Sequence, residues 1–330
     1  MTTRRGVAIG CGGLLGFAWT AVALDAVERA LNWDIRTADV LVGTSAGAEL
    51  VAALGSGRTP TDLLAALDRA PDADPILAAH VAVDPGKFPP LPHLGFPGFG
   101  LVGAGLRARS PYTALAGLLP RGRSDADWLR SFGQALAAPS GWVSHPATWV
   151  VGADAATGAR VAFGANGSGT ALATAGRSAG TAPVDLGAAI AASWAIPGWF
   201  PPVRIGENDY VDGGSVSSVS ADLLVPLELD EVVVVAPMTS EGGAPATGLN
   251  RLERLLRAQM TRGLDREVAL LRAAGTRVIR VEPGPEELAA MGANFMDSAR
   301  RPATLAAARR HVPARVADAM RASRLAGRLA

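Results

Sequence analysis

Two side chains in this sequence stand where they could carry out acyl transfer. Ser45 lies in Gly43-Thr44-Ser45-Ala46-Gly47, between the apolar run Val40-Leu41-Val42 and the helix-forming stretch Ala48-Glu49-Leu50-Val51-Ala52-Ala53-Leu54. Gly-x-Ser-x-Gly at a strand-to-helix junction is the pattern of a nucleophile elbow. The turn is so sharp that side chains two residues before and after the serine would strike neighbouring backbone, and it lifts the serine hydroxyl toward a substrate. The helix that follows begins with N–H groups unpaired within the helix, so the Ala46 amide can face a developing oxyanion. The second side chain is Asp212. It ends the short strand-like segment Glu207-Asn208-Asp209-Tyr210-Val211-Asp212 and precedes Gly213-Gly214, whose lack of side chains lets the backbone pass close to another element. An acid in that position can face a cleft and take a proton from a serine. Taken alone, Asp-Gly-Gly is also a common turn.

A third segment could stabilise the charge that such a reaction develops. Val7-Ala8-Ile9 reads as a buried strand, Gly10-Cys11-Gly12-Gly13-Leu14-Leu15-Gly16 as a glycine turn, and Phe17, Ala21, Leu24, Val27 and Leu31 recur at helical spacing opposite Asp25, Glu28 and Arg29. A dinucleotide fingerprint would need glycine where Leu15 stands, and the next strand runs into the Ser45 turn instead of a ribose-binding acid. A phosphate-binding P-loop would need a Gly-Lys-Ser/Thr ending that is missing. What remains is a row of unobstructed backbone N–H groups at a helix start, suited to an oxyanion. Arg4-Arg5 before an apolar stretch resembles a secretion signal, but glycines interrupt it where a signal helix would be continuous.

The elements that must position these residues alternate. Thr59-Pro60-Thr61-Asp62 opens a helix, Asp125 to Ala138 is helical, and Thr148 to Ala153 and Arg160 to Phe163 are strands. Asp185 to Ala195 is an alanine-rich helix. Glu231 to Ala236 and Thr276 to Val281 are β-branched strands of the kind a central parallel sheet holds, joined by one or two long amphipathic helices. A last helical stretch, Thr304 to Leu325, is interrupted at Pro313. This alternation predicts a layered α/β fold. The three candidate segments must meet in one site, so all 330 residues are expected to form a single domain.

One region departs from this pattern. From residue 71 to about 124 the chain is rich in Pro, Gly and apolar residues, including Phe88, Phe96 and Phe99. It reads as an irregular insert that serves as a lid or acyl-pocket wall, with these phenylalanines and Leu101 lining or covering the Ser45 cleft. Lys87, Arg107, Arg109, Arg121 and Arg123 flank it. They would suit an anionic surface, although solvated arginines at loop ends are the commoner arrangement.

Composition sets the remaining bounds. The chain is 49% hydrophobic, so it can bury a large core, and its formal net charge of +1 argues neither for nor against a nucleic-acid partner. Its single cysteine, Cys11, excludes an internal disulfide and a cysteine-based metal cluster, and nothing calls for an oxidising compartment.

Together the glycine loop, the Gly43–Gly47 elbow, Ala191-Ala192-Ser193-Trp194-Ala195-Ile196-Pro197-Gly198-Trp199-Phe200-Pro201-Pro202 and Asp212-Gly213-Gly214 resemble the patatin-like phospholipase family, in order, over roughly residues 6 to 225. The resemblance implies a three-layer α/β/α sandwich with a mostly parallel central sheet. It also implies a catalytic dyad of Ser45 and Asp212, an oxyanion loop over Gly12, Gly13 and Leu14, and a lipid or ester substrate hydrolysed without cofactor or metal. The chain departs from the family pattern in two segments. Cys11 and Leu15 stand where a glycine and a basic residue are usual, and Ser218-Val219-Ser220 replaces the Asn-x-Pro that often follows Asp-Gly-Gly. The expected setting is cytoplasmic, with transient contact at a membrane surface and no nucleic-acid partner; oligomeric state is left open. Two alternatives stand beside this reading. One is an α/β-hydrolase with a Ser45–Asp212–His311 triad, in which His80, His93 and His145 are loop or surface histidines. The other is an inactive lipid-binding module.

Overall fold

The computed structural model of the chain describes residues 3–91, 99–107, 110–165, 171–173, 184–241, 243, 248 and 250–326. Its core is a sheet ordered β5-β4-β3-β2-β1-β8-β9. The strands are β1 (Arg5–Ile9), β2 (Val40–Thr44), β3 (Thr148–Asp154), β4 (Arg160–Phe163), β5 (Ala171–Ala173), β6 (Val203–Ile205), β7 (Asn208–Asp212), β8 (Glu231–Val235) and β9 (Arg277–Val281). Strands β3, β2, β1, β8 and β9 run parallel, and β4 and β5 add an antiparallel edge. The parallel strands are buried on both faces, which is why they read as continuous Val, Ile and Leu runs.

Alternation along each strand divides the core in two. Val7, Ile9, Leu41, Val150, Val233 and Ile279 face one side, and Ala8, Val42, Val151, Val232, Val234 and Val278 face the other. The first side is covered by α1 (Gly13–Leu31), α2 (Ala46–Gly55), α3 (Pro60–Leu67), α7 (Asp127–Leu136), α8 (Leu186–Ser193), α10 (Pro285–Met291) and α11 (Arg301–Ala326). The second is covered by the turn at 221–227 and by α9 (Asn250–Ala273). The result is the three-layer α/β/α architecture expected from the motifs.

The region 71–124 is more regular than its composition suggests. It carries α4 (Pro75–Ala82), α5 (Phe99–Arg107) and α6 (Pro111–Leu118). The Asp74 carboxylate accepts the N–H groups of Ile76 and Leu77, and the Ser110 hydroxyl accepts that of Thr113. Each cap is followed by a proline at the first helical position, where its missing N–H costs nothing. Three boundaries also shift. Helix α1 starts at Gly13, so the glycine turn is shorter than expected. A single helix, α9, joins β8 to β9. Helix α11 continues through Pro313, its buried face of Leu305, Ala308, Val312 and Val316 packed into the core, which offsets the lost backbone bond. Among the described residues no helix is long and apolar enough to cross a membrane.

Candidate active site

The elbow is built by close approach. A β-carbon on Gly43 would lie 2.2 Å from the Gly47 carbonyl oxygen, and one on Gly47 would lie 2.2 Å from that of Ile9, so neither position has room for a side chain. Between them Ser45 is held at φ 57°, in the left-handed region that a residue with a β-carbon occupies only when its surroundings impose it. Its carbonyl accepts the Ala48 N–H at 2.8 Å, starting α2, and its own N–H donates to Ser193 Oγ at 2.8 Å. Ser45 is 2% exposed.

Asp212 reaches the same point from another strand. Gly152 pairs with Val161 of β4 on one edge of β3 and with Asp212 of β7 on the other. That second edge is already occupied by β2 as far as Thr44, opposite Val151. Strands β2 and β7 therefore meet end to end along one edge of β3, and the residues at their ends, Ser45 and Asp212, are neighbours. Gly213 turns the chain through this junction: a β-carbon there would lie 2.6 Å from the Val151 carbonyl oxygen and 3.2 Å from Thr44 Cγ2.

The Asp212 carboxylate accepts the Gly214 N–H at 2.7 Å, and its backbone N–H donates to the Ala195 carbonyl at 3.0 Å. Burial pushes its carboxyl up to about 7, against the downward pull of hydrogen bonds with the Ser45 side chain and the Gly214 N–H. A carboxylate in that condition is a stronger proton acceptor near neutral pH than an exposed aspartate.

The glycine loop supplies the donors. The N–H groups of Cys11, Leu15 and Gly16 are taken by the carbonyls of Ser218, Phe295 and Gly12. Those of Gly12, Gly13 and Leu14, the three residues expected to hold an oxyanion, have no backbone partner among the described residues. They lie at the positive end of the 19-residue helix α1.

Ser45, Asp212, Gly12 and Gly13 line one cavity of about 180 Å³. The rest of its wall is mainly apolar, from Leu115, Ala116 and Leu119 at one end of the insert to Ile196, Met238, Met260 and Phe295. Leu14 lies one residue deeper in α1 and is buried outside the lining. Phe88 is 72% exposed and also lies outside it, as does buried Leu101, which packs on Ala153 and Val211 and faces a neighbouring pocket. Phe99 opens α5, but its side chain is outside the described residues, as is the whole of Phe96. Among its described residues, the insert contributes Leu115, Ala116 and Leu119 to the lining. Cys11 also lines the cavity, but burial, and next the charge of Asp212, push its thiol well above the usual range and keep it protonated.

The described histidines stand apart from this chemistry. His311 lies on α11 outside the cavity, near Glu286. His145 bonds to the Ala38 carbonyl at 2.8 Å, and His93 is outside the described residues. His80 is no surface residue. It is buried on α4, where Nε2 meets Glu49 Oε1 at 2.9 Å and the ring stacks on Phe132 with centroids 3.6 Å apart. Its place was obscured by reading residues 71–124 as irregular chain.

Several supporting residues were not singled out as site residues by the sequence. Ser193 holds the Ser45 amide. The Ser217 hydroxyl accepts the N–H of Ser220 at 2.8 Å and donates to the Glu267 carboxylate, which also accepts the Ala221 N–H at 2.9 Å. This network ties down the chain after Asp212-Gly213-Gly214, where the family's Asn-x-Pro is replaced. Burial pushes the Glu267 carboxyl up as well. Among the described residues no cluster of three or more His, Cys, Asp or Glu side chains is placed to hold a metal ion. A family model, patatin-like phospholipase, matches residues 7–225. No curated protein matches the chain.

Proposed function

The chain belongs to the patatin-like phospholipase family, a family of lipid acyl hydrolases, and from that premise we propose that it hydrolyses lipid esters through a Ser45–Asp212 dyad. The observation that carries the reading is the end-to-end junction of β2 and β7, which puts a serine and a buried carboxyl with a raised pKa in one cavity.

In this mechanism Asp212 accepts the Ser45 proton as Oγ attacks the ester carbonyl carbon. The Gly12, Gly13 and Leu14 amides receive the charge that builds on the carbonyl oxygen. Collapse of the tetrahedral intermediate breaks the ester C–O bond. The departing alcohol takes the proton from Asp212, and the acyl group stays on Ser45. Water then attacks the acyl-enzyme with Asp212 again as proton acceptor, releasing the carboxylic acid and restoring the serine. No histidine is required. The apolar wall from Leu115 to Phe295 accommodates the acyl chain.

The whole chain acts as one domain in this reading, and residues 71–124 form a wall of the substrate site. Transient contact with a lipid surface follows from the position of apolar side chains. Of nine large apolar residues exposed among the described ones, six (Phe88, Leu91, Leu106, Leu115, Leu118 and Leu119) lie in this segment, and Leu115 and Leu119 also line the cavity. Phe88 acts at this surface in the proposal rather than inside the cleft. The test is hydrolysis of a panel of p-nitrophenyl esters of graded acyl length beside phospholipid vesicles. Activity on at least one of these, lost in Ser45→Ala, is expected; no hydrolysis by folded protein on any substrate would leave the inactive lipid-binding module.

A further inference from the structure

We propose that Ser193 is a positioning residue whose hydroxyl fixes the main chain of Ser45 and with it the spacing between Ser45 and Asp212, an inference that rests on the dyad reading above. Where the C-terminal ends of β2 and β7 meet, the hydrogen-bond ladder along that edge of β3 is interrupted. The Ser193 hydroxyl fills the break: it donates to the Val151 carbonyl of β3 at 2.6 Å and accepts the Ser45 N–H at 2.8 Å. Val151 pairs with Thr44, and the next residue, Gly152, pairs with Asp212. One hydroxyl therefore bonds the nucleophile's main chain to β3, the strand against which β7 holds the proposed proton acceptor Asp212.

The same turn holds the other partner. Two residues on, the Ala195 carbonyl accepts the Asp212 N–H at 3.0 Å. Between them Trp194 is completely buried and packs edge-on against Trp128 and Phe200, with centroids 5.6 and 6.3 Å away, so the end of α8 is anchored while it grips both strand ends. Ser45 needs such a grip, because its positive φ is not one its own backbone prefers. Without the Ser193 hydroxyl the Ser45 N–H and the Val151 carbonyl lose their shared partner, and the peptide leading into the nucleophile is free to relax. Ser193 itself does not line the cavity, so its effect on the reaction passes through Ser45.

The test compares Ser193→Ala and Ser193→Thr with wild-type protein, using p-nitrophenyl butyrate for kcat and KM and a fluorophosphonate probe for the rate and end point of Ser45 labelling. In Ser193→Ala, kcat is expected to fall between about tenfold and a hundredfold, because a small misplacement of a reacting group costs that much, while KM stays within about twofold. Labelling should slow by a similar factor yet reach the wild-type end point, and Ser193→Thr should restore most of the rate by returning the hydroxyl. If Thr does not fit the buried site, Ser193→Cys, a weaker donor and acceptor, takes its place with an intermediate rate expected.

Wild-type kcat in Ser193→Ala overturns the proposal. So does a fallen labelling end point with an unchanged rate for the labelled fraction, which marks a role in folding alone. Ser45→Ala, assayed in parallel, separates the two readings. Retained hydrolysis there sinks the dyad itself, whereas loss there with wild-type rates in Ser193→Ala sinks only the positioning role.

Discussion

Ser45 and Leu115 line the same cavity, but Ser45 is 2% exposed and Leu115 is 59% exposed, and they are held in place by different means. Around Ser45 the main chain is fixed by close approach, by a hydroxyl that bridges to β3 and by a backbone angle that needs its neighbours. Around Leu115 a short helix stands on a serine cap and a proline, with large apolar side chains turned to solvent on the same segment. The contrast separates two tasks. In the proposed mechanism, bond making depends on atoms that cannot move and sits where strand ends meet, while selection of the substrate depends on a surface that can change its side chains without disturbing the sheet.

Mutations can test that separation. The largest effect is expected from Ser45→Ala, which should remove hydrolysis and fluorophosphonate labelling, a loss on the order of ten-thousandfold or more, with the fold retained by circular dichroism. Residual labelling at wild-type rate would mean that another group is the nucleophile. Asp212→Asn keeps the shape and removes the proton acceptor, so kcat should drop on the order of a hundredfold.

The raised Asp212 carboxyl gives two pH signatures. The acceptor works only when ionised, so wild-type kcat/KM should rise with pH through about 7. For stability the sign is opposite. A carboxyl whose folded pKa lies above its unfolded value stabilises the fold fully below the unfolded value, and that contribution is lost as pH rises through about 7. Asp212→Asn should therefore melt a few degrees above wild type at pH 8. An equal or lower melting temperature at pH 8 would show that the carboxylate is not strained by its surroundings.

Smaller effects belong to the rim. Leu119→Trp should narrow the acyl site, lowering kcat/KM for long-chain esters about tenfold relative to the butyrate ester. Equal loss on both would place Leu119 in the fold rather than in selection. Leu118→Asp should weaken sedimentation with phospholipid vesicles while hydrolysis of the soluble ester stays within about twofold. The smallest effect is expected for His311→Ala, within about twofold on every substrate, because it lies outside the cavity. A loss matching that of Ser45→Ala would restore the triad.

The elbow and the alternation of buried strands with helices were legible because each rests on local chemistry. Gly43 and Gly47 leave only one way past the serine, and the runs at Val40–Val42 and Glu231–Val235 fit only strands buried on both faces. Asp212 was legible locally only as a candidate, and its place beside Ser45 came from the family resemblance, since the pairing of Gly152 with Asp212 is a tertiary choice that no local pattern announces. Ser193 was hidden for the same reason: a serine at a helix end looks alike whether it caps its own helix or bridges two distant strands. The helices of the insert were more accessible. Asp74-Pro75 and Ser110-Pro111 are the same start signal that Thr59-Pro60 gave for α3, and the surrounding prolines and glycines drowned it. With α4 overlooked, the burial of His80 against Glu49 and Phe132 could not be foreseen.

The junction of β2 and β7 on one edge of β3 also bears on how such a gene can change length. Ser45 and Asp212 are neighbours through their register with Val151 and Gly152, and the number of codons between β4 and α8 does not enter that register. One codon added inside β7 would turn the Asp212 side chain to the other face of the sheet. The proposed catalytic pair is thus written in the short reading-frame segments of β2, β3 and β7, within which an insertion would break the register.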